Sequence, residues 1–544
     1  MKEAKKSKKI VLGIAAVAIA AMMVIPTGIT MANGRNETDI PFGFSNAKKM
    51  PFEVKELGTN TATEGCTGNV LVTPNSQYDD VLPVITKDGD GNIVVSFTQE
   101  ISVLQMEMGW SVSSDNGASW NDFATTSGGA NTYNSIAWED VPNYRGLFGV
   151  YLNVGEDTEG FYTISDATDP STYTIYTWTA SDNTDPTYAC ISDNTYLEGQ
   201  YNDIDGPTNM YIEHLIYSSY DIPNCPNQMI TGFDENGEVT NGEGTFDGQS
   251  HLLTAPAYDP SMSGEHMKAH YAWQYDNQTT GKSQIVWKKI IPVEGNTDST
   301  DIEFTPYQEY LDEGQHPYIS HSGNNVVVVY MNNDNIYGDW DIKCAYSIDD
   351  GQNWDTSMVA EGHPTDETYP AVYMSGNTAF VVYISDGNLY LVKSEDGGAT
   401  WGDPEQVNDE DGTVVAEENA VDIHSGGIVW VDNRNGNKDI YYAPLPAPLI
   451  GVKTISGGVG VKATIDNTGS EDASNVDWSI QLSGLIFMGK EATGTIDTLA
   501  AGGETTISTG LVFGVGPTTI TVTAGGATKT ASGFVLGPLV LGVK

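Results

Sequence analysis

Three stretches of this chain share one pattern, S-x-D-x-G-x-x-W. They run from Ser113 to Trp120, from Ser347 to Trp354 and from Ser394 to Trp401, with Asp115, Asp349 and Asp396 at the third position and Gly117, Gly351 and Gly398 at the fifth. The pattern describes a tight turn. An aspartate accepts hydrogen bonds from turn N–H groups, and a glycine takes a positive φ without steric cost. The tryptophan then buries a large ring beside the strands that the turn joins. Each copy follows an alternating, strand-like run.

A second repeat runs independently of the first. Pro317 precedes the run Asn325 to Tyr330, Pro370 precedes Phe380 to Tyr383, and Ala420 holds the matching place before Gly427 to Trp430. Upstream, Pro83 precedes Asn92 to Phe97. The interval is about fifty residues, the size of a four-stranded propeller blade. Trp138, His214 and Pro256 lie near further blade starts. No helical period emerges between residues 66 and 446. The final run, Asp439 to Tyr442, is not followed by an S-x-D-x-G-x-x-W turn. A strand from the start of the domain, Gly68 to Val72, is expected to complete that blade and close the ring, which removes exposed edges.

The three turns resemble the Asp box of the sialidase-like, BNR-repeat β-propellers. In that family the box joins the third and fourth strands of a blade and lies opposite the active site. The resemblance implies an all-β fold, a six- or seven-bladed β-propeller. Sialidases have six blades. Fold does not fix chemistry, and the family's chemistry sets a test. Sialidases clamp the substrate carboxylate with three arginines, because a planar fork of donors fits a carboxylate where a lysine does not. This chain has three in all: Arg35, Arg145 and Arg434. Arg35 lies in the stretch read as a linker, so no triad can be assembled inside the propeller. No nucleophile or acid/base matches by motif.

The ends have their own characters. Residues 1–32 carry Lys2, Lys5, Lys6, Lys8 and Lys9 ahead of an apolar run, and then Thr30-Met31-Ala32. They read as a signal peptide, with an uncleaved N-terminal anchor as the alternative. Residues 33–65 are polar and aperiodic and read as a linker. A proline-rich stretch, Pro444 to Pro448, marks a boundary, and residues 449–544 form a separate β-rich segment. Val459 to Ile465, Val476 to Ile480 and Thr518 to Thr523 read as strands, and the V-x-A-T-I-x-N-T-G run from Val461 to Gly469 resembles the CARDB and related Ig-like modules of prokaryotic surface proteins, which implies an Ig-like β-sandwich serving as spacer or attachment.

Charge narrows the partners. The formal net charge is −49, from 24 Lys and Arg against 73 Asp and Glu. That argues against nucleic acid. It suits a secreted or cell-surface protein and an environment rich in salt or divalent cations, calcium being the cofactor to consider. Of the four cysteines, Cys190 and Cys225 are the disulfide candidates, with free buried thiols the alternative.

Specific sites are harder to read. Asp88-Gly89-Asp90-Gly91-Asn92 fails the EF-hand pattern at Ile93 and Gln99 and reads as a turn between strands. Glu265, His266 and His270 lie in a strand-like region, which excludes a zinc helix. His316 and His363 precede prolines and read as loop residues. The repeat register puts Tyr275, Asp276, Asp334, Tyr337, Trp340, Asp386, Asp432 and Arg434 on the rim opposite the three turns. Aromatic rings beside carboxylates suit sugars or cations. Arg434 can also be read as pairing with Asp432 or Asp439 within a hairpin turn. Three functions follow: a non-catalytic propeller binding glycans or envelope proteins through this rim, an exo-acting glycoside hydrolase of sialidase-like type with a diverged site, and a structural coat component that self-associates.

Overall fold

A computed structural model describes most of residues 54–179 and 257–544, together with the short strand Lys48–Lys49 and separate strands between 186 and 233. The proposed signal segment, Arg35 and the Cys190–Cys225 pairing lie outside the described residues. Among the described cysteines Cys344 is free and buried.

Alternation of apolar and polar residues makes strands, and short turns make each next strand antiparallel. The result, before the proline-rich stretch, is seven small antiparallel sheets among the described residues. Blade 1 comprises Asp79–Lys87, Ile93–Ser102, Gln105–Ser113 and Ser119–Thr125. Blade 2 comprises Thr132–Val141, Tyr144–Asn153, Thr158–Ile164 and Tyr173–Thr179. In blade 3, Pro186–Cys190 and Tyr196–Gly199 both pair with one edge of Asn209–Ser218, and Pro226–Phe233 pairs with the other. Blade 4 comprises Ala257–Glu265, Lys268–Asn277, Lys282–Ile290 and Tyr307–Glu313. Blade 5 comprises Gln315–Ser322, Asn325–Asn332, Asp341–Ser347 and Asp355–Ala360. Blade 6 comprises Glu367–Ser375, Thr378–Ser385, Asn388–Ser394 and Glu405–Gln406. Blade 7 comprises Val421–His424, Gly427–Asp432 and Asp439–Ala443, and its fourth strand is Val70–Leu71 from the start of the domain.

The innermost strands pack on one another in order, and that of blade 7 returns to that of blade 1. The chain is therefore a seven-bladed β-propeller, one blade more than the sialidases it resembles. Val70 pairs with Tyr442 and Leu71 with Tyr441, so the N-terminal strand closes the ring as the sequence predicted. One expectation needs correcting. The stretch read as a linker supplies Val54–Thr61, which pairs with Ser119–Thr125 as a fifth strand of blade 1, while Lys48–Lys49 does the same for blade 2. Its polar, aperiodic sequence is that of an edge strand whose outer face meets water.

The S-x-D-x-G-x-x-W turns join the third and fourth strands of blades 1, 5 and 6, and their chemistry repeats. Ser119 N–H donates to Asp115 Oδ1 at 2.8 Å, Asn353 N–H to Asp349 at 2.9 Å and Thr400 N–H to Asp396 at 2.8 Å. The glycines have φ of 84°, 81° and 98°. The tertiary reason for the motif is contact with the preceding blade. A Cβ on Gly117 would fall 2.1 Å from Tyr442 Cε1 in blade 7, and one on Gly351 would fall 2.2 Å from Trp287 Cη2 in blade 4. Trp120 packs edge-on against Tyr442, Trp354 against Trp287, and Trp401 Nε1 donates to Ser357 Oγ in blade 5 at 2.9 Å. Each turn fastens its blade to the one before it.

Residues after the prolines form a two-sheet unit. A three-stranded sheet (Ile450–Ser456, Lys462–Asn467, Glu504–Ser508) faces a seven-stranded one that includes Ala473–Leu482, Glu491–Leu499, Phe513–Ala524 and Ala527–Gly537. Val461, Ile465, Ile480, Val512, Ile520, Val522 and Val535 fill the space between them. The opposite face of the larger sheet carries exposed apolar residues, among them Phe513, Val515, Phe534, Leu536, Leu539 and Leu541.

Candidate functional site at the upper mouth of the propeller

The three turns define one end of the ring. Asp350 N–H donates to Asn324 O and Gly397 N–H to Asn377 O, so these turns sit beside the loops joining the first and second strands. The other end, here called upper, carries the starts of the innermost strands and the loops between second and third strands.

At the upper end the innermost strands of blades 1, 4, 5 and 6 carry a register shift, between Val81 and Val84, Tyr258 and Ser261, Gln315 and Tyr318, and Thr368 and Ala371. Inside each shift the residue before a proline has positive φ: Leu82 (55°), Asp259 (47°), His316 (50°) and Tyr369 (50°). Asn419 (56°) holds the same place before Ala420 in blade 7. Left-handed backbone at a non-glycine residue is unfavourable and is kept where the surrounding structure demands it, and bulges of this kind re-aim side chains. Here Asp259, His316, Tyr369, Glu418 and Asn419, from blades 4 to 7, line one cavity of about 30 Å³.

His316 Nδ1 lies 2.9 Å from Asp259 Oδ2. Burial works against charging the imidazole, but the facing Asp259 outweighs it and raises the His316 pKa. Asp259 is held below the usual carboxylate range because its contacts with His316 and Glu418 outweigh its burial. Glu418 is pushed up to about 8 by loss of hydration and by the Asp259 carboxylate. The arrangement sets a carboxyl that favours its protonated form beside a carboxylate and an imidazole that favour their charged forms. Ligand atoms of the three residues all lie within 4.8 Å of one another. A pair of glycosidase carboxylates stands about 5–9.5 Å apart to flank a glycosidic bond. This pair is closer than that, and its cavity has room for a water or an ion and none for a sugar ring. Beneath it the channel widens to about 160 Å³, lined by Tyr318, Ser320, His321, Tyr373, Asp422 and His424 among others.

The sequence reading missed this cluster. It placed His316 in a loop, and near Pro256, where the strand Ala257–Glu265 does begin, it did not single out Asp259 before Pro260. The signal was present in the second repeat: the residue just before each blade-start proline.

A second cluster lies where blades 5 and 6 meet, in upper loops. His363 Nδ1 is 2.8 Å from Asp339 Oδ2 and 4.0 Å from Asp341 Oδ1. Tyr337 packs on His363 with ring centroids 4.1 Å apart, and Tyr337 itself is 62% exposed. Glu367 N–H donates to Trp340 O at 2.7 Å, and burial together with the Asp341 and Asp339 charges raises the pKa of its carboxyl. The histidine that read as a loop residue is thus in a loop, but within a polar cluster.

The rim residues named from the repeat register occupy upper ends of strands and upper loops, divided among blades. Asp276 accepts from Gln274 and Ser283 at 3.0 and 2.7 Å, and Tyr275 packs edge-on against exposed Tyr310. Asp334 is exposed, Trp340 is half-buried with its N–H on Asp366, and exposed Asp386 occupies a turn in blade 6 with φ of 48°. Asp432 is fully buried. Arg434 is committed to its own fold. Its Nε and Nη2 donate to Asp432 at 3.0 and 2.8 Å, Nη1 donates to Asp409 at 2.6 Å, and its guanidinium lies 4.0 Å from the Tyr441 ring centroid. Arg145 is at the opposite end, 3.7 Å from Asp90 in the lower turn of blade 1 and stacked over Trp138. The Asp88 loop is that same turn, with Asp88 Oδ1 accepting from Asp90 and Asn92 N–H. The two arginines of the propeller therefore do not converge on one site.

No protein-family model and no curated protein matches this chain. Solved structures give low-level likenesses. The Hadza microbial sialidase Hz136 is 11% identical, with 56% of this chain and 63% of that chain covered and a TM-score of 0.35. Trypanosoma rangeli sialidase is 10% identical over 90% and 92%, with a TM-score of 0.33. The β-propeller domain of the Trilobed protease from Pyrococcus furiosus is 10% identical over 68% and 94%, with a TM-score of 0.37. The propeller architecture itself stands on the strand pairing and the closed order of the innermost strands.

Proposed function

We propose that this chain is a secreted or cell-surface binding propeller, without hydrolase activity, that holds glycans or other envelope components on its upper rim. The observation that carries the reading is the tip of the upper loop of blade 5. Ile336 is 91% exposed and Tyr337 62%, in the same loop as exposed Asp334. An aromatic face and an apolar side chain held out in water, flanked by hydrogen-bond acceptors, fit a sugar's C–H face and hydroxyls. Against hydrolysis stand the dispersed, committed arginines and a central carboxyl pair too close to flank a glycosidic bond. The exposed apolar face of the C-terminal unit, with Phe534 and Leu536, supports a role for that unit in attachment or self-association.

The test takes the full chain through reporter glycosides, sialosides included, and through a glycan array. The expected result is no turnover, with array binding that Tyr337→Ala lowers about tenfold, in keeping with an aromatic anchor. Turnover lost in Arg434→Ala would favour the diverged hydrolase instead. Folded chain that neither turns over nor binds any glycan, and sediments as concentration-dependent oligomers that Phe534→Ser disperses, would leave the structural coat reading.

A further inference from the structure

We propose that Asp339, Asp341, His363 and Glu367 form a binding site for a divalent transition-metal cation, of the zinc or manganese class, where the upper loops of blades 5 and 6 meet. This site does not depend on the glycan reading above. Ligand atoms of Asp339, Asp341 and His363 already lie within 4.8 Å of one another. A tetrahedral ion with bonds of about 2.0–2.2 Å holds its donors about 3.4 Å apart, so small side-chain rotations would close the shell.

Acidic residues gather on many surfaces of a chain like this, and proximity alone would not mark a site. The second observation is burial without partners. Asp341 is 2% exposed and its Oδ1 has no hydrogen-bond partner, and Glu367 is 4% exposed and its Oε2 has none. Buried carboxylate oxygens are normally satisfied, so the orphaned Oδ1 of Asp341 inside the cluster, with a second orphan on Glu367 close enough to feel the Asp341 and Asp339 charges, points to a missing cationic partner. The other oxygen of each carboxylate is held. Asn335 Nδ2 donates to Asp341 Oδ2 at 2.8 Å, and Ser385 Oγ donates to Glu367 Oε1 at 3.1 Å. Ligands of metal ions are typically oriented in this way, with one atom tied back and the other presented. A Cβ on Gly362 would lie 2.7 Å from Glu367 Oε1, so the glycine lets the loop bearing His363 come close. His363 is a quarter exposed, which leaves a path from solvent.

The donor set chooses the ion. Calcium and magnesium take oxygen ligands, whereas imidazole with carboxylates suits zinc or manganese. The cluster near the axis, Asp259 with His316 and Glu418, lacks a buried, unpartnered carboxylate oxygen, since the Asp259 and His316 side chains are about a quarter exposed and Glu418 is exposed. Occupancy at the blade 5–6 junction would tie the loop carrying Ile336 and Tyr337 to the loop entering blade 6.

The test is metal analysis on the full chain, stripped with chelator and loaded with Zn²⁺, Mn²⁺ or Ca²⁺. The chain is then desalted in about 1 M salt, where a screening length of about 3 Å removes ions held only by net charge. The expected result is about one Zn²⁺ or Mn²⁺ retained per chain, with affinity lowered about tenfold or more by Asp341→Asn and by His363→Ala. Thermal melts of both metal-free variants confirm that they fold. Three outcomes would overturn the proposal: no retained metal, retention unchanged in both variants, or retention lost in His316→Ala instead.

Discussion

His316 Nδ1 lies 2.9 Å from Asp259 Oδ2 across the junction of blades 4 and 5, and both residues owe their position to a left-handed bulge before a proline. The pair is a contact between neighbouring blades at the axis, so its charge state bears on how the ring is held together.

Its pH dependence follows from the signs. The folded pKa of His316 is raised, so its contribution is full below the usual histidine value of about 6.5 and is lost as pH rises through the folded value. That of Asp259 is lowered, so its contribution is present above about 3.9 and lost as pH falls. Both act together between about pH 4 and 6.5. His316→Gln is expected to cost about 1 kcal/mol there, a figure discounted for partial exposure, and less at pH 9. Urea midpoints at both pH values check this. A cost that grows with pH would contradict the assigned charges.

Arg434 is expected to be a structural residue. Asp432 is fully buried, and among the described residues the donors that reach it besides Arg434 are neutral, Trp430 Nε1 at 3.1 Å and Thr413 Oγ1 at 2.9 Å. Removing the guanidinium strands that carboxylate. Arg434→Ala should destabilise by about 3–5 kcal/mol, the usual cost of breaking a buried pair on one side. Denaturant unfolding measures it. A variant as stable as the parent would mean the arginine is free for a ligand.

The glycines of the repeated turns should be intolerant for two separable reasons. Gly117→Ala meets Tyr442 at 2.1 Å and also strains a φ of 84°, whereas Gly91→Ala strains a φ of 91° in open space. Strain alone costs about 1–3 kcal/mol, and overpacking adds about 1–3 more. Thermal melts should therefore rank Gly117→Ala well below Gly91→Ala. Equal losses would show that the turn, and not the contact with blade 7, is what the glycine serves.

Asp80 should respond to pH in the direction opposite to Asp259. It is fully buried, Gln99 donates to its Oδ1 at 3.0 Å, and burial together with the Asp439 and Asp79 carboxylates pushes its pKa up to about 8. A raised acid stabilises fully below about 3.9, and that contribution is lost as pH rises toward 8. Asp80→Asn should match the parent near pH 4 and melt about 1–2 °C higher at pH 8, as about 1 kcal/mol does in a domain of several hundred residues. A variant less stable at pH 8 would show that the ionised form is the native one.

Much of the architecture was legible because it is local and repeated. The S-x-D-x-G-x-x-W turns and the blade-start prolines each encode a backbone shape within a few residues, and a ring of like blades repeats that shape. Sequence separation conceals what the repeats bring together. Asp259 and Glu418 lie far apart in the chain and meet only because every blade points the same bulge at one axis. Asp339 and His363 meet because neighbouring blades share a junction.

The sequence by itself determined an all-β chain built of repeated blades, a ring closed by a strand from the start of the domain, and too few arginines for a carboxylate clamp. Alternation, turn chemistry and composition are properties of neighbours along the chain, so they can be read there. Only the tertiary structure decided that the ring has seven blades, that 54–61 is an edge strand, that Arg434 is consumed by Asp432 and Asp409, and that two histidines read as loop residues sit among carboxylates. Those outcomes depend on the curvature at which blades pack and on which side chains burial forces into contact. Both are set by the summed packing of the whole ring.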